Sequence, residues 1–259
     1  MQTRNVTDAH RRPPTDAELI QTPCDPEPGR VPGDRFDPSR ARRVLRIRRV
    51  FELAVVLLGL PVWLPTIATC AIVIFLSDGP PVLYRSSRRV YRGQRATIYK
   101  FRTMVRNAEA LFNRRTVPTE SQRFLNIPLD SPAYTRIGRL IERFSLTELP
   151  QLVQVLSGTM ALVGNRPLPE DVIEALKASF PGVEARFWSR AGVIGPAQLV
   201  GRDVLTDVQR LELEIAYARY CLEHPAIGVS LRILVEGILI AARLRPAHSF
   251  ATVRQLLAR

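Results

Sequence analysis

Between residues 53 and 76 the chain carries no charged side chain, is almost wholly apolar, and is interrupted by Pro61 and Pro65. As a helix such a run is about 36 Å long, enough to cross the ~30 Å hydrocarbon layer of a bilayer. Its flanks conflict with a simple crossing. Arg40, Arg42, Arg43, Arg46, Arg48 and Arg49 precede it, and Arg85, Arg88, Arg89, Arg92 and Arg95 follow it. Basic residues beside a membrane segment favour the cytoplasmic side, so both ends ask to stay on one face. The two prolines remove backbone donors and crowd the preceding turn, which favours a kink near mid-run. The run therefore reads as a re-entrant helical hairpin broken at Pro61 and Pro65. One tilted, proline-kinked spanning helix is the alternative that the pattern leaves open.

A formal charge of +13 suits anionic headgroups, phosphorylated substrates or nucleic acid, and does not choose among them. Lysine occurs only at Lys100 and Lys177, so the basic charge is nearly all arginine, whose planar fork matches phosphate oxygens. Cys24, Cys70 and Cys221 are scattered and odd in number, as expected of free thiols in a reducing compartment. His10, His224 and His248 form no cluster with them, which argues against a zinc site.

Three regions separate along the chain: a disordered, proline-rich and charged arm over 1–40, a basic flank with the membrane anchor over 41–76, and one globular domain over 77–259. The arm is not a secretory leader, because the apolar run begins too late and no small-residue cleavage pattern follows it. Within the domain, 82–85 and 95–101 read as strands around the turn-prone Arg92-Gly93-Gln94. Residues 107–115, 172–178, 208–223 and 230–244 read as helices. The fold class is α+β, mainly helical, with a small β-hairpin. The apolar stripe of the last helix suits either the domain core or the membrane surface as an interfacial amphipathic helix.

Chemistry concentrates in Ser-Leu-Thr-Glu-Leu-Pro-Gln at 145–151 and Val-Gly-Asn-Arg-Pro at 163–167. With Lys-Phe-Arg-Thr-Met at 100–104 and Gly-Pro-Ala-Gln at 195–198, followed by Gly201-Arg202, these segments resemble the bacterial sugar transferases, the monotopic polyprenyl-phosphate phosphoglycosyltransferases. The resemblance runs in order from about Arg48 to Leu244. It includes Arg-Val-Phe-Glu at 49–52, where the family has a basic residue and a Phe-Asp pair, and Pro65, where the family breaks its membrane helix.

The resemblance implies transfer of a phosphosugar from a nucleotide-diphosphate sugar to polyprenyl phosphate, with Mg2+, at the inner face of the bacterial cell membrane. It implies membrane lipids and glycoconjugate assembly proteins as further partners. A lipid acceptor and a water-soluble anionic donor require a site at the interface with cations for phosphate. By family position, Arg166 and Arg202 are phosphate-binding and Glu148 is a metal ligand; Arg88, Lys100 and Arg102 bind substrate phosphate, or instead touch lipid headgroups or form surface pairs, and Gln198 reads as a loop-organising side chain. Thr147 stands where the family has its attacking aspartate. Glu142 stands in place of an arginine, and Asn165 in place of the proline of a Gly-Pro-Arg-Pro signature.

Each of these residues also has an ordinary structural reading. Thr147 suits the N-cap of a helix running to Leu156, with Pro150 in its first turn and Gly158 as its stop. Ser145 and Glu148 have capping-box spacing, and Arg166 and Arg202 suit solvated loops. Because a threonine hydroxyl is a weak nucleophile without a base, two functions follow: a transferase with a changed nucleophile, or a catalytically silent relative that binds nucleotide sugar or lipid phosphate within an assembly complex. A membrane-anchored nucleic-acid-binding protein is a remote third, since the arginines are not interleaved with stacking aromatics.

Overall fold

The computed structural model describes residues 38–108, 129–201, 204–224 and 226–258. The arm over 1–37 and most of the 107–115 helix expected from the sequence lie outside them. The described part begins with one long helix, α1 (Pro38–Asp78), which carries Pro61 and Pro65 inside it and does not end at either. Its stretch Arg46–Asp78 is long and apolar enough to cross a membrane. Most of that surface is bare: Leu58 is 81% exposed, Val62 73% and Leu76 76%. An apolar face of this size on a helix is stable only against lipid or another apolar surface, so the protein is membrane-associated.

One stripe of α1 is covered. Glu52, Val56, Trp63, Cys70 and Ile74 are buried, and Leu60 and Ile67 pack beside them. The spacing of four and seven residues keeps these side chains on one helix face. Val56 and Trp63 join the main core with Leu152 and Val155, while Cys70 and Ile74 meet Phe101 and Ile141. The Trp63 indole donates to the Val56 carbonyl at 2.8 Å, which satisfies its polar edge inside this seam.

After α1 come β1 (Leu83–Tyr91) and β2 (Gln94–Phe101), an antiparallel hairpin in which Tyr84 faces Lys100 and Arg88 faces Ala96. It turns at Arg92-Gly93, as the sequence indicates. Then follow α2 (Arg136–Arg143), a short turn of 3-10 helix (Leu146–Glu148) and α3 (Gln151–Ser157), which stops at Gly158 with φ 84°. A two-strand parallel pair, β3 (Ala161–Val163) and β4 (Gly192–Ile194), brackets α4 (Glu170–Ser179) and the 3-10 segment Pro181–Trp188. A last 3-10 turn (Pro196–Leu199) leads to α5 (Asp207–Glu223), α6 (Ile227–Ala241) and α7 (Phe250–Leu257). The α4, α5 and α6 regions fall where periodicity places helices. On α6, Ile233 and Leu234 enter the core while Leu231, Val235 and Ile238 stay exposed, so both sides of the helix are apolar.

Both ends of α1 are tied to the same domain. At the N-terminal end Arg48 donates to the Val163 carbonyl at 2.6 Å and the Tyr217 hydroxyl at 3.0 Å, and pairs with Glu52 at 3.3 Å. Arg49 reaches the carbonyls of Val155 and Leu156, the last turn of α3. At the other end Arg102 donates to the carbonyls of Asp78 and Gly79 at 2.8 and 2.7 Å, and the Thr135 hydroxyl donates to the Asp78 carboxylate at 2.8 Å.

Replacing Arg48 by Met removes the partner of a carboxylate that is 5% exposed and leaves the Val163 carbonyl without this donor. Losing one member of a buried ion pair costs about 3–5 kcal/mol. Denaturant unfolding in detergent micelles is expected to show a loss of that order for Arg48→Met, of which Arg48→Met/Glu52→Leu recovers more than half, because the second change removes the stranded charge.

Candidate functional site

The site is built on the strand that ends at Phe101. Gln154 of α3 lies along β2 and completes its edge: the Tyr99 amide donates to Gln154 Oε1 at 3.1 Å, and Gln154 Nε2 donates to the Thr97 carbonyl at 2.7 Å. α2 is held at the strand's exit, where the Thr135 amide donates to the Thr103 carbonyl and the Thr135 hydroxyl caps the helix by accepting from the Gly138 amide. A Cβ at Gly138 would lie 1.9 Å from the Thr103 oxygen, so only glycine permits this approach.

Between α2 and α3 the chain reverses through Ser145, a non-glycine residue at φ 57°. That left-handed position turns the following 3-10 segment back under α2. The sequence-based expectation of Thr147 as a helix N-cap is not met. Thr147 lies inside the short turn, 2% exposed, and its hydroxyl donates to the Glu142 carboxylate. Nor do Ser145 and Glu148 form a capping box: Ser145 makes no side-chain cap, Pro150 opens α3 without one, and Glu148 instead pairs with Arg166 at 2.6 Å. Sequence reasoning noted Glu142 as a departure from the family and did not place it among the site residues. The signal that could have found it is paired: by the family resemblance, an acid is missing at 147 and an extra one stands at 142.

Arg166 is presented by a loop under tight backbone control. A Cβ at Gly164 would lie 2.3 Å from the Arg190 oxygen, and one at Gly192 would lie 2.1 Å from the Gly164 nitrogen, so the loops after β3 and before β4 approach as only glycines allow. Asn165 is 3% exposed and donates its amide to the carbonyls of Arg186 and Glu214 at 2.9 and 2.7 Å. Arg186, fully buried, pairs with Glu214 and also donates to the Arg166 carbonyl at 2.8 Å. The amide that replaces a family proline thus ties the Arg166 loop to α5.

Lys100 sits on the hairpin face it shares with Arg88, its ammonium 5.0 Å from the Tyr84 ring centre. Burial, together with repulsion from Arg88 and Arg166, brings its pKa down to about 7, while Glu142 and Glu148 pull the other way. Arg88 donates to the Pro167 carbonyl at 3.1 Å, which ties the hairpin to the Arg166 loop. Gln198 accepts from the Gly195 amide at 2.5 Å and makes only a long 3.5 Å contact with Glu148 Oε2. The structure therefore brings together Arg88, Lys100, Glu142, Thr147, Glu148, Arg166 and Gln198. Arg102 holds the end of α1, where its Nε and NH1 are buried without a hydrogen-bond partner among the described residues. Arg202 lies outside the described residues. Pro61 and Pro65 lie in the anchor. Among the described residues no three His, Cys, Asp or Glu side chains gather as a metal cluster.

An anion entering beside Lys100 favours its charged form and raises its pKa from about 7. At pH 8, binding of inorganic sulfate, which does not itself titrate there, is expected to bring a net proton uptake, measured by titration calorimetry in two buffers of different ionisation enthalpy. Lys100→Met removes that uptake. An unchanged uptake in the variant contradicts the role of Lys100 as the titrating cation.

Comparison with known proteins places this geometry. The chain is 29% identical over 176 residues to an exopolysaccharide production protein of Sinorhizobium fredii, covering 66% of this chain and 76% of the relative. It is 29% identical over 178 residues to the UDP-glucose:undecaprenyl-phosphate glucose-1-phosphate transferase of Escherichia coli, covering 67% of this chain and 36% of the longer relative. Over 131 residues it is 36% identical to the undecaprenyl-phosphate galactose phosphotransferase of Salmonella typhimurium, covering 49% and 27%. The bacterial sugar transferase family matches residues 43–243, which include both the anchor and every described member of the site, and the chain belongs to that family.

Proposed function

We propose that this protein moves a phosphosugar from a nucleotide-diphosphate sugar to polyprenyl phosphate, in exopolysaccharide or glycoconjugate synthesis at the cytoplasmic face of the bacterial cell membrane. The observation that carries this reading is the meeting of Arg88, Lys100 and Arg166 with two carboxylates, Glu142 and Glu148, on a family scaffold with an apolar anchor. Phosphoryl transfer needs positioning and charge neutralisation more than covalent chemistry, and this cluster offers both. Relatives named as undecaprenyl-phosphate sugar phosphotransferases support the same substrates.

The anchor reading is re-entrant. It is supported by the ties at both ends of α1, which hold Arg48 and Asp78 to one body. The exposed side of α6, with Leu231, Val235 and Ile238, suits the lipid surface next to it.

A divalent cation fits this donor set. Mg2+ commonly takes one or two carboxylates and completes its shell with water and substrate phosphates. Glu148 Oε1 is engaged by Arg166, and among the described residues Oε2 has only the long Gln198 contact, so Glu148 would hold the ion. When bound, the ion supplies charge neutralisation at the diphosphate. Arg166 and Lys100 orient the donor phosphates, and donor phosphate competing for Arg166 releases Glu148 from its ion pair.

The silent reading rests on a specific observation: the family's attacking carboxylate is a threonine here, with its hydroxyl already bonded to Glu142. Purified protein in lipid nanodiscs, given radiolabelled nucleotide-diphosphate sugars, polyprenyl phosphate and Mg2+, is expected to form lipid-linked sugar with at least one donor. Arg166→Ala is expected to lower kcat/KM by about 10- to 100-fold, the loss of a charge-assisted bond to phosphate. No product with any donor overturns the transferase reading. Product from Thr147→Asp alone marks a protein that binds both substrates without reacting them.

A further inference from the structure

The paired departures at positions 142 and 147 meet in space. We propose that Thr147 and Glu142 form the reacting pair of this transferase, with Thr147 Oγ as nucleophile and Glu142 as the base that takes its proton. This rests on the transferase reading above and assigns its missing nucleophile.

The geometry supplies what a hydroxyl nucleophile lacks. A serine or threonine becomes competent when an adjacent base holds its proton, and Thr147 Oγ already donates to Glu142 Oε2. The base is held firmly. Glu142 lies at the end of α2, whose start is fixed by the Thr135 cap and the Gly138 approach, and it is 7% exposed. The nucleophile is held by the reversal at Ser145. Glu148, the other nearby acid, is committed to Arg166, so the two acids have separate partners and separate tasks. Lys100 lies near both acids, and Arg166 pairs with Glu148 in the same cluster, so cations for a diphosphate stand beside the Thr147–Glu142 pair.

The step balances. Thr147 Oγ bonds to the sugar-bearing phosphorus as its proton passes to Glu142. The bond from that phosphorus to the bridging oxygen breaks, and nucleoside monophosphate leaves with the electron pair. In the second half, an oxygen of polyprenyl phosphate attacks the same phosphorus. The Oγ–phosphorus bond breaks, and Thr147 regains the proton from Glu142. The returned proton matters because an alkoxide is a poor leaving group. With Thr147 only 2% exposed, bulk water has little access to the intermediate.

The test uses the full-length protein in nanodiscs, with donor labelled in the sugar-bearing phosphate and acceptor first withheld. The expected result is a labelled protein that resists hydroxylamine, as a threonine phosphodiester does, with the label mapping to Thr147. With acceptor present, Glu142→Gln is expected to lower kcat by ~100-fold or more while KM for the donor changes by less than about threefold, the signature of a lost general base. It should also flatten the acidic limb of the pH–rate profile. Thr147→Ser is expected to stay active, and Thr147→Ala to lose the label. A hydroxylamine-labile label, or one that survives Thr147→Ala, overturns the proposal in favour of a carboxylate nucleophile. Wild-type activity in Glu142→Gln overturns it too, and leaves the transferase reading standing. Absence of product from the wild type with every donor overturns both.

Discussion

The two ties that hold α1 to the globular domain are the constraint on which the rest depends. Arg48 and Arg49 at one end and Asp78 at the other bind groups of one body, through donors and acceptors that burial makes costly to leave unpaired. Thirty residues of straight helix would separate those ends by about 45 Å. On the re-entrant reading proposed above, the apolar side of α1 enters the lipid while its ends stay attached to the domain that carries the reactive groups. Substrate chemistry explains why this is useful: the acceptor is part of the bilayer and the donor is a soluble anion.

The same ties reach into the site. Arg48 binds the Val163 carbonyl at the end of β3, directly before the loop that carries Asn165 and Arg166. Arg49 binds the end of α3, whose start follows Thr147 and Glu148. Arg102 follows Phe101 on the strand that bears Lys100. Each cation or acid in the cluster is thus one short segment away from a contact with the anchor. Displacement of the anchor would disturb the site through the backbone, without any direct contact between lipid and reacting atoms.

Much of this was legible in the sequence, and the failures have physical causes. The apolar run, the hairpin at Arg92-Gly93 and helices α4, α5 and α6 follow from hydrophobic periodicity and turn chemistry, which are local. The ordered motifs indicated the family, and the structure brings Lys100, Arg88, Arg166 and Glu148 together. Arg48 and Arg49 read as the basic flank of the membrane run, and Arg102 as a contact for phosphate or headgroups, because nothing local distinguishes such an arginine from one facing a carbonyl far along the chain. The Ser145 to Glu148 turn looked like a capped helix start, because its spacing fits a capping box. The left-handed Ser145 and the Thr147 to Glu142 bond arise from how α2 packs on the β2 exit, which no window of sequence contains. Strands β3 and β4, three residues each, are too short to show a period.

The re-entrant reading puts both ends of the anchor on one side of the membrane with the site. Its most direct measurement replaces the native cysteines by serine and places single cysteines at the exposed positions Arg46 and Ser77. Spheroplasts are then treated with a membrane-impermeant maleimide before and after lysis. The account predicts that both positions are unlabelled in intact spheroplasts and both are labelled once they are opened. Labelling of one end alone in intact spheroplasts would contradict it, since that result requires a helix that crosses the bilayer.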